Sequence, residues 1–516
     1  MLKKSRRAFL AASLASAGTV VLPGWRPLRA ATPRFTSNPF KLGVASGFPT
    51  SSSVVLWTRI APSPLEPGGG VPPGAVSVQW EIATDDKMTK VVRTGTHHAT
   101  EDWAHSVHAE PSGLEPAREY WYRFTAGGIQ SPIGRTKTAP AANAETGRLK
   151  LAIASCQQYE HGYFSAYRHM LADNLDLIVH VGDYIYELTR GENLVRSHGT
   201  PEALTLNDYR ARHALYKSDP DLAAAHATYP WLVTWDDHEV NNDYAGTTSA
   251  LAVDPKVFIA RRAAAYRAYY EHMPLPRGAI PSRNETRIYS QRAFGNLASL
   301  FMLDQRQYRS PEACRDARQS GNRINCAELD DPSRTMLGRQ QEQWLQKSLS
   351  ATHARWNLLA QGTVMAHIDE VPAPERLYSA DDWNGYPVSR AKLLAFLAER
   401  RIPNPVVLAG DVHAYIVSNL NREPANPDSP VVASELVTTS ITSQGTSQRL
   451  LNRRMAANPN MLFANGEVRG YLRLDVTHQR LLADLVGLSS EKQPQSTTRI
   501  LKSFAIENGR PGPVAV

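Results

Sequence analysis

The chain is poor in cysteine. Its 516 residues hold three, Cys156, Cys314 and Cys326, so one must stand outside any disulfide. Cys314 and Cys326 lie close together in a polar, Arg- and Asn-rich segment and are the natural pair, closing a surface loop. Cys156 is left over, at the end of the apolar run LKLAIASC.

Long apolar runs are missing as well. Beyond the N-terminus, nothing approaches the ~18 consecutive apolar residues of a membrane span. Acidic residues are absent before Thr32, whereas Lys3, Lys4, Arg6, Arg7, Arg26 and Arg29 precede it; removing these six from the net +8 leaves +2. There is no basic stripe with interleaved aromatics, which argues against nucleic acid as partner. No GxSxG elbow or Ser-His-Asp arrangement is present, so serine-based hydrolysis finds no support. No internal repeat is found.

What is present begins with a targeting pattern. KKSRRAFL, the apolar AASLASAGTVVL and the small residues Ala30 and Ala31 predict a signal peptide over 1–31. The pair Arg6-Arg7 predicts the twin-arginine export machinery as a partner, a route that carries folded proteins, often already loaded with metal or cofactor. The expected destination is the periplasm or the exterior. Residues 38–139 read as short alternating strands with Gly/Pro turns, predicting a small β-sandwich. PAANAETG (140–147) is a polar linker. From 149 to 510 the pattern changes to apolar runs that end in polar clusters, with helical segments between them, predicting an α/β catalytic domain. Thr497–Glu507 is expected to be a closing strand or helix.

In α/β folds ligands sit where strands end, so the tips belong together. They carry Cys156 and Gln157; Asp183 and Tyr186; Asp236, Asp237, His238, Asn242 and Asp243; Asp304 and Arg306; Asp411 and His413. Several carboxylates at one edge repel one another unless a cation offsets them. Oxygen-rich ligands with a few N and S donors point to a hard or borderline metal rather than a zinc–cysteine cluster. In VGDYIYE, a glycine turn followed by Asp183 and Tyr186 could aim both oxygens at one ion. In LAGDVHAY, an extended backbone would put Asp411 and His413 on one side. Arg306 either contacts phosphate or pairs with Asp304. Glu239 is expected to support the ligands from behind. His161, His180, His198 and His226 are read as ordinary core histidines.

ASCQ, VGDYIYE, WDDHEVNNDYAG, LDQRQYR and LAGDVHAY, in this order behind a twin-arginine start and a β region, resemble the PhoD-like alkaline phosphatase/phosphodiesterase family, within the calcineurin-like metallophosphoesterases. The resemblance implies a four-layer α/β/β/α sandwich, and LEPAREYWYRF, a Leu-x-Pro turn ahead of a Tyr-x-Tyr strand, resembles a fibronectin-type corner, so the preceding unit is expected to be a fibronectin-like β-sandwich. It implies Fe3+ held by Cys156, Asp183, Tyr186 and His413, and Ca2+ on the oxygen-rich side. Asp183 would bridge; Asp237, with Asp236, Asp243 or Asn242, and Asp411 would serve the calcium. Zn2+ or Mn2+ are the alternative ions. The wider pattern is altered here: Ser155-Cys156-Gln157 replaces D-x-H, and Tyr186 stands where an aspartate is common. A metal-bound water would attack the phosphorus of a phosphate ester, with His238 donating to the leaving group or stabilising the charged transition state. Two other readings stay open: a phospholipase-D-like diesterase acting on lipid or cell-wall diesters, and a non-catalytic surface-binding protein.

Overall fold

The structure, a computed structural model, describes residues 34–250, 253–314, 323–370 and 376–516. The expected signal peptide lies outside them. The fold is mixed α/β and its architecture rests on two large sheets. The first has ten strands in the order Arg510–Ala515, Thr498–Glu507, Arg480–Leu488, Gly470–Thr477, Arg148–Ala154, Leu177–Val181, Pro230–Thr234, Val44–Gly47, Val55–Arg59, Ser106–Ala109. The second has seven: Ser290–Phe294, Ala298–Met302, Trp356–Ala360, Pro405–Ala409, Val431–Val437, Tyr415–Asn421, Met461–Asn465. Thr498–Glu507 is thus the strand of the two options the sequence left.

The centre of each sheet is parallel. Arg148–Ala154, Leu177–Val181 and Pro230–Thr234 pair in parallel, as do Ala298–Met302, Trp356–Ala360, Pro405–Ala409 and Val431–Val437. These strands are buried on both faces, which is why the sequence shows near-continuous apolar runs there rather than alternation. Period-two alternation decides which core each side chain enters. Leu300, Met302, Leu358, Ala360, Val406 and Leu408 join Leu151, Ile153, Leu472 and Leu474 in one core between the sheets. Phe301, Leu359, Val407 and Ala409 face the other way. They meet Leu345 and Leu349 of the helix Arg339–Ala351, and Leu393, Leu394 and Leu397 of Pro387–Glu399.

Strands of the N-terminal unit also belong to the large sheet. Val44–Gly47 pairs in parallel with Pro230–Thr234 and in antiparallel with Val55–Arg59, so these strands extend the ten-stranded sheet. A third sheet, with Val91–Ala99, Val76–Ala83, Glu119–Ala126 and Ile129–Gln130 in that order, packs on them through Val44, Leu56, Val107, Val78, Tyr122 and Phe124. The turn before Glu119–Ala126 is held by the Glu115 N–H donating to the Tyr120 hydroxyl at 2.8 Å. Cys314 and Cys326 form a disulfide, and Cys156 is the remaining cysteine, buried. Among the described residues no helix is long and apolar enough to cross a membrane.

Candidate metal centre

Four of the parallel strands deliver their C-terminal ends to one place. Two residues past Ala154 stands Cys156; past Val181 comes Asp183; past Thr234, Asp236 and Asp237; past Ala409, Asp411 and His413. Three overlapping groups of ligand atoms form there, the atoms of each within 4.8 Å of one another: Cys156, Asp183 and His413; Asp183, Asp237 and His238; Asp236, Asp237 and Asp411. Asp183 is common to the first two and Asp237 to the last two. Tyr186 belongs with the first, its hydroxyl 2.9 Å from Asp183 Oδ2 and 3.0 Å from His413 Nε2.

The backbone aims these side chains by unusual means. Cys156, Asp183, Asp243, Asp411 and His413 all have positive φ, from 52° to 68°. Non-glycine residues in this region carry a cost of order 1–3 kcal/mol each, and such strain collects at functional sites. The expectation of an extended Asp411–His413 stretch is corrected accordingly. The chain bends at both residues, and they enter two different groups rather than one. Gly182 (φ 113°) has no substitute, since a Cβ there would come within 2.5 Å of Asp236 Cβ.

Buried support fixes the wall. Glu239 accepts from the N–H groups of Asp183 (3.2 Å), Tyr184 (2.7 Å) and Asp236 (2.9 Å), the supporting place expected of it. Asp243 donates its N–H to Asp237 Oδ2 at 2.7 Å, and Asn242 donates its N–H to Glu187 Oε1 at 3.0 Å. Arg306 is fully buried. Its Nε meets Asp236 Oδ1 at 2.5 Å, and its two Nη atoms fork onto Asp381 at 2.5 and 2.7 Å. The pairing with Asp304 is corrected: the guanidinium meets Asp236 and Asp381, and Arg306 gives Asp304 its backbone N–H.

His238 is oriented by a residue the sequence reading passed over. Its Nδ1 lies 2.6 Å from Glu187 Oε2, which leaves Nε2 as the ring nitrogen for the site. The ring lies beside Tyr186, centroids 4.1 Å apart. Burial would lower the His238 pKa, but Glu187 and Asp237 outweigh it and raise it to about 9. Burial acts the other way on the acids. It pushes Asp183 and Asp411 well up, with neighbouring carboxylates adding to the effect, and Asp243 up to about 7. Burial and the Asp183 charge likewise push the Cys156 thiol and Tyr186 phenol well up. Burial, then Arg469, lowers His413 to about 3, keeping its imidazole neutral as a ligand must be.

Glu187, Asp381, Ser443 and Gln444 are the site residues that the sequence reading missed. Glu187 stood in view as the last letter of VGDYIYE. Asp381 follows no apolar run, and Ser443 and Gln444 lie in a polar loop with no ligand-type spacing, so only the fold brings them in. His161, His180, His198 and His226 enter none of the three groups. His161 nevertheless sits close by, accepting the Gln444 N–H at 3.1 Å, while His413 Nδ1 lies 2.8 Å from the Gln444 carbonyl.

This arrangement has close relatives. Residues 151–485 match the PhoD-like phosphatase family and residues 27–140 its N-terminal domain. Alkaline phosphatase D of Bacillus subtilis (strain 168) is 46% identical over 490 residues, covering 93% of this chain and 83% of that one. A solved structure described as that of PhoD superposes with a TM-score of 0.90 at 45% identity, covering 94% of this chain and 93% of that one. On the family match, the identity and the shared fold together, the chain belongs to the PhoD-like phosphatases.

Proposed function

We propose that the protein is a metal-dependent phosphoric ester hydrolase that acts as an alkaline phosphatase. One observation carries the reading: the strand ends converge on acidic groups in which two buried carboxylate oxygens, Asp236 Oδ2 and Asp237 Oδ1, have no hydrogen-bond partner among the described residues. Buried oxygens without partners are costly, and cations between Asp183, Asp237 and their neighbours would satisfy them. The donor set fits two unlike ions. Cys156, Tyr186, Asp183 and His413 offer thiolate, phenolate, carboxylate and imidazole, which suits Fe3+. Asp183, Asp236, Asp237 and Asp411, with Asn242 or Asp243, offer oxygens, which suits Ca2+. Bound there, the ions would supply Lewis acidity toward the phosphate oxygens and neutralise the carboxylates.

The protein's own groups do the rest. Arg306, Glu239 and the Asp243 N–H hold Asp236 and Asp237 in place. Glu187 fixes the His238 ring so that an Nε2 proton can pass to the leaving oxygen as its bond to phosphorus breaks and a bond from water oxygen to phosphorus forms. That proton transfer turns a poor alkoxide leaving group into an alcohol. The finer architecture belongs to the same proposal: an α/β/β/α layering of the catalytic domain over 149–510, a fibronectin-like unit over 38–139, and export by the twin-arginine route after loss of 1–31. The two cores that flank the seven-stranded sheet support the layering.

Lipid- or wall-diester cleavage and a purely binding role are not favoured, given the complete acidic groups and the identity to an alkaline phosphatase. Assays with p-nitrophenyl phosphate and bis-p-nitrophenyl phosphate decide among them. Turnover of the monoester, abolished by chelation and restored by iron with calcium, is the expected result. Turnover of the diester alone would favour the diesterase, and turnover of neither would favour the binding protein.

A further inference from the structure

The two donors that set this centre apart, Cys156 and Tyr186, each have a serine hydroxyl against the donor atom. Ser155 Oγ lies 2.9 Å from Cys156 Sγ, and Ser443 Oγ lies 2.8 Å from Tyr186 Oη. Both serines are buried. The fold makes room for the first: a Cβ on Gly410 would come within 2.1 Å of Ser155 Oγ.

Ser443 arrives on a strap that follows the strand Val431–Val437 and wraps the sulfur-bearing turn. Ile441 N–H donates to the Ser155 carbonyl at 2.9 Å, Ser443 N–H to the Cys156 carbonyl at 3.2 Å, and Thr442 Oγ1 to the Gln158 carbonyl at 2.7 Å. Buried Arg469 ties the strap to the centre. Its Nη1 donates to the His413 carbonyl (2.8 Å), the Ser443 carbonyl (2.9 Å) and Ser440 Oγ (2.7 Å).

Each hydroxyl has one proton and two places to put it. Ser443 lies 2.8 Å from both the Cys156 carbonyl and Tyr186 Oη; Ser155 has the Gly182 carbonyl at 3.3 Å besides the sulfur. A neutral phenol or thiol competes poorly with a carbonyl. An ionised one reverses the order, because hydrogen bonds to a charged acceptor are roughly twice as strong. Binding a trivalent cation ionises both donors.

We propose that Ser155 and Ser443 are positioning residues that donate hydrogen bonds to the Cys156 thiolate and Tyr186 phenolate in the metal-loaded protein, and so set how strongly each donates to the metal. The inference rests on the ferric reading above. Each hydroxyl draws electron density from its donor atom and holds it in one orientation, as outer partners of metal ligands do.

The test is the visible absorption of iron-loaded protein together with its iron content. Charge transfer from phenolate or thiolate to Fe3+ falls in energy as the donor atom becomes richer in electrons. Ser443→Ala is expected to keep iron and move the band to longer wavelength, and Ser443→Thr, which retains the hydroxyl, to return it. Ser155→Ala is expected to move the thiolate component the same way. Each serine is judged by its own variant: a band that does not move at unchanged iron content overturns its role. Loss of iron in Ser443→Ala with recovery in Ser443→Thr supports the role; equal loss in both overturns it. A wild-type protein with bound cations but no iron, or with iron and no such band, contradicts the ferric reading itself.

Discussion

His238→Ala is expected to lower kcat for p-nitrophenyl phosphate by about 10²–10⁴-fold, the usual worth of a positioned proton donor, and to leave the bound metal unchanged. The geometry separates these two readouts. His238 Nδ1 is taken by Glu187 at 2.6 Å, and the other acids of the wall are held by groups that do not include the ring. Glu187→Gln then costs less, about 10–100-fold, as expected for a group that orients another. The pH profile follows in sign. Glu187, working against burial, raises the His238 pKa above the ordinary imidazole value, so the donor is expected to stay protonated through neutral pH and activity to fall as pH rises through the shifted value. Without the Glu187 charge this alkaline limb moves to lower pH. Measuring kcat against pH for both proteins, with metal content on the same samples, checks the assignment. Equal loss of metal and turnover in His238→Ala would make His238 a ligand instead.

Arg306→Ala is expected to lower the unfolding free energy by about 3–5 kcal/mol, the scale for removing one partner of a buried ion pair. The guanidinium is fully buried between Asp236 and Asp381, with Asp237 Oδ1 3.8 Å away. Its removal leaves at least two buried carboxylates without their cation. Arg309 offsets part of the loss, since its Nη1 lies 3.0 Å from Asp381 Oδ1. Arg306→Lys keeps the charge but not the fork that engages both acids, so it falls between alanine and wild type. A denaturant midpoint measured on metal-free protein reads this directly. Were Arg306 a substrate contact, alanine would raise KM and leave the midpoint where it was.

The parallel strands were legible because burial on both faces writes an apolar run, and the polar cluster after each run marks its tip. VVLAGDVHAY shows both the reach and the limit of that reading. The strand Pro405–Ala409 and the two donors beyond it follow from the letters. The bend that parts Asp411 from His413 does not, since positive φ at Asp and His leaves no mark in the sequence. Contacts between distant segments are hidden for the same reason. Arg306 and Asp381, or Tyr186 and Ser443, meet only once the sheets are folded. The N-terminal strands show alternation, which reveals a strand but not its neighbour, so their joining of the ten-stranded sheet lay beyond the pattern.

The proposed function rests on two unlike cations held at these strand ends. Elemental analysis of the protein purified from its native host tests it most directly. Iron together with calcium, each near one equivalent per chain, is the expected result. Zinc without iron would contradict the Cys156 and Tyr186 assignment, and a protein fully active with no bound metal would contradict the account as a whole.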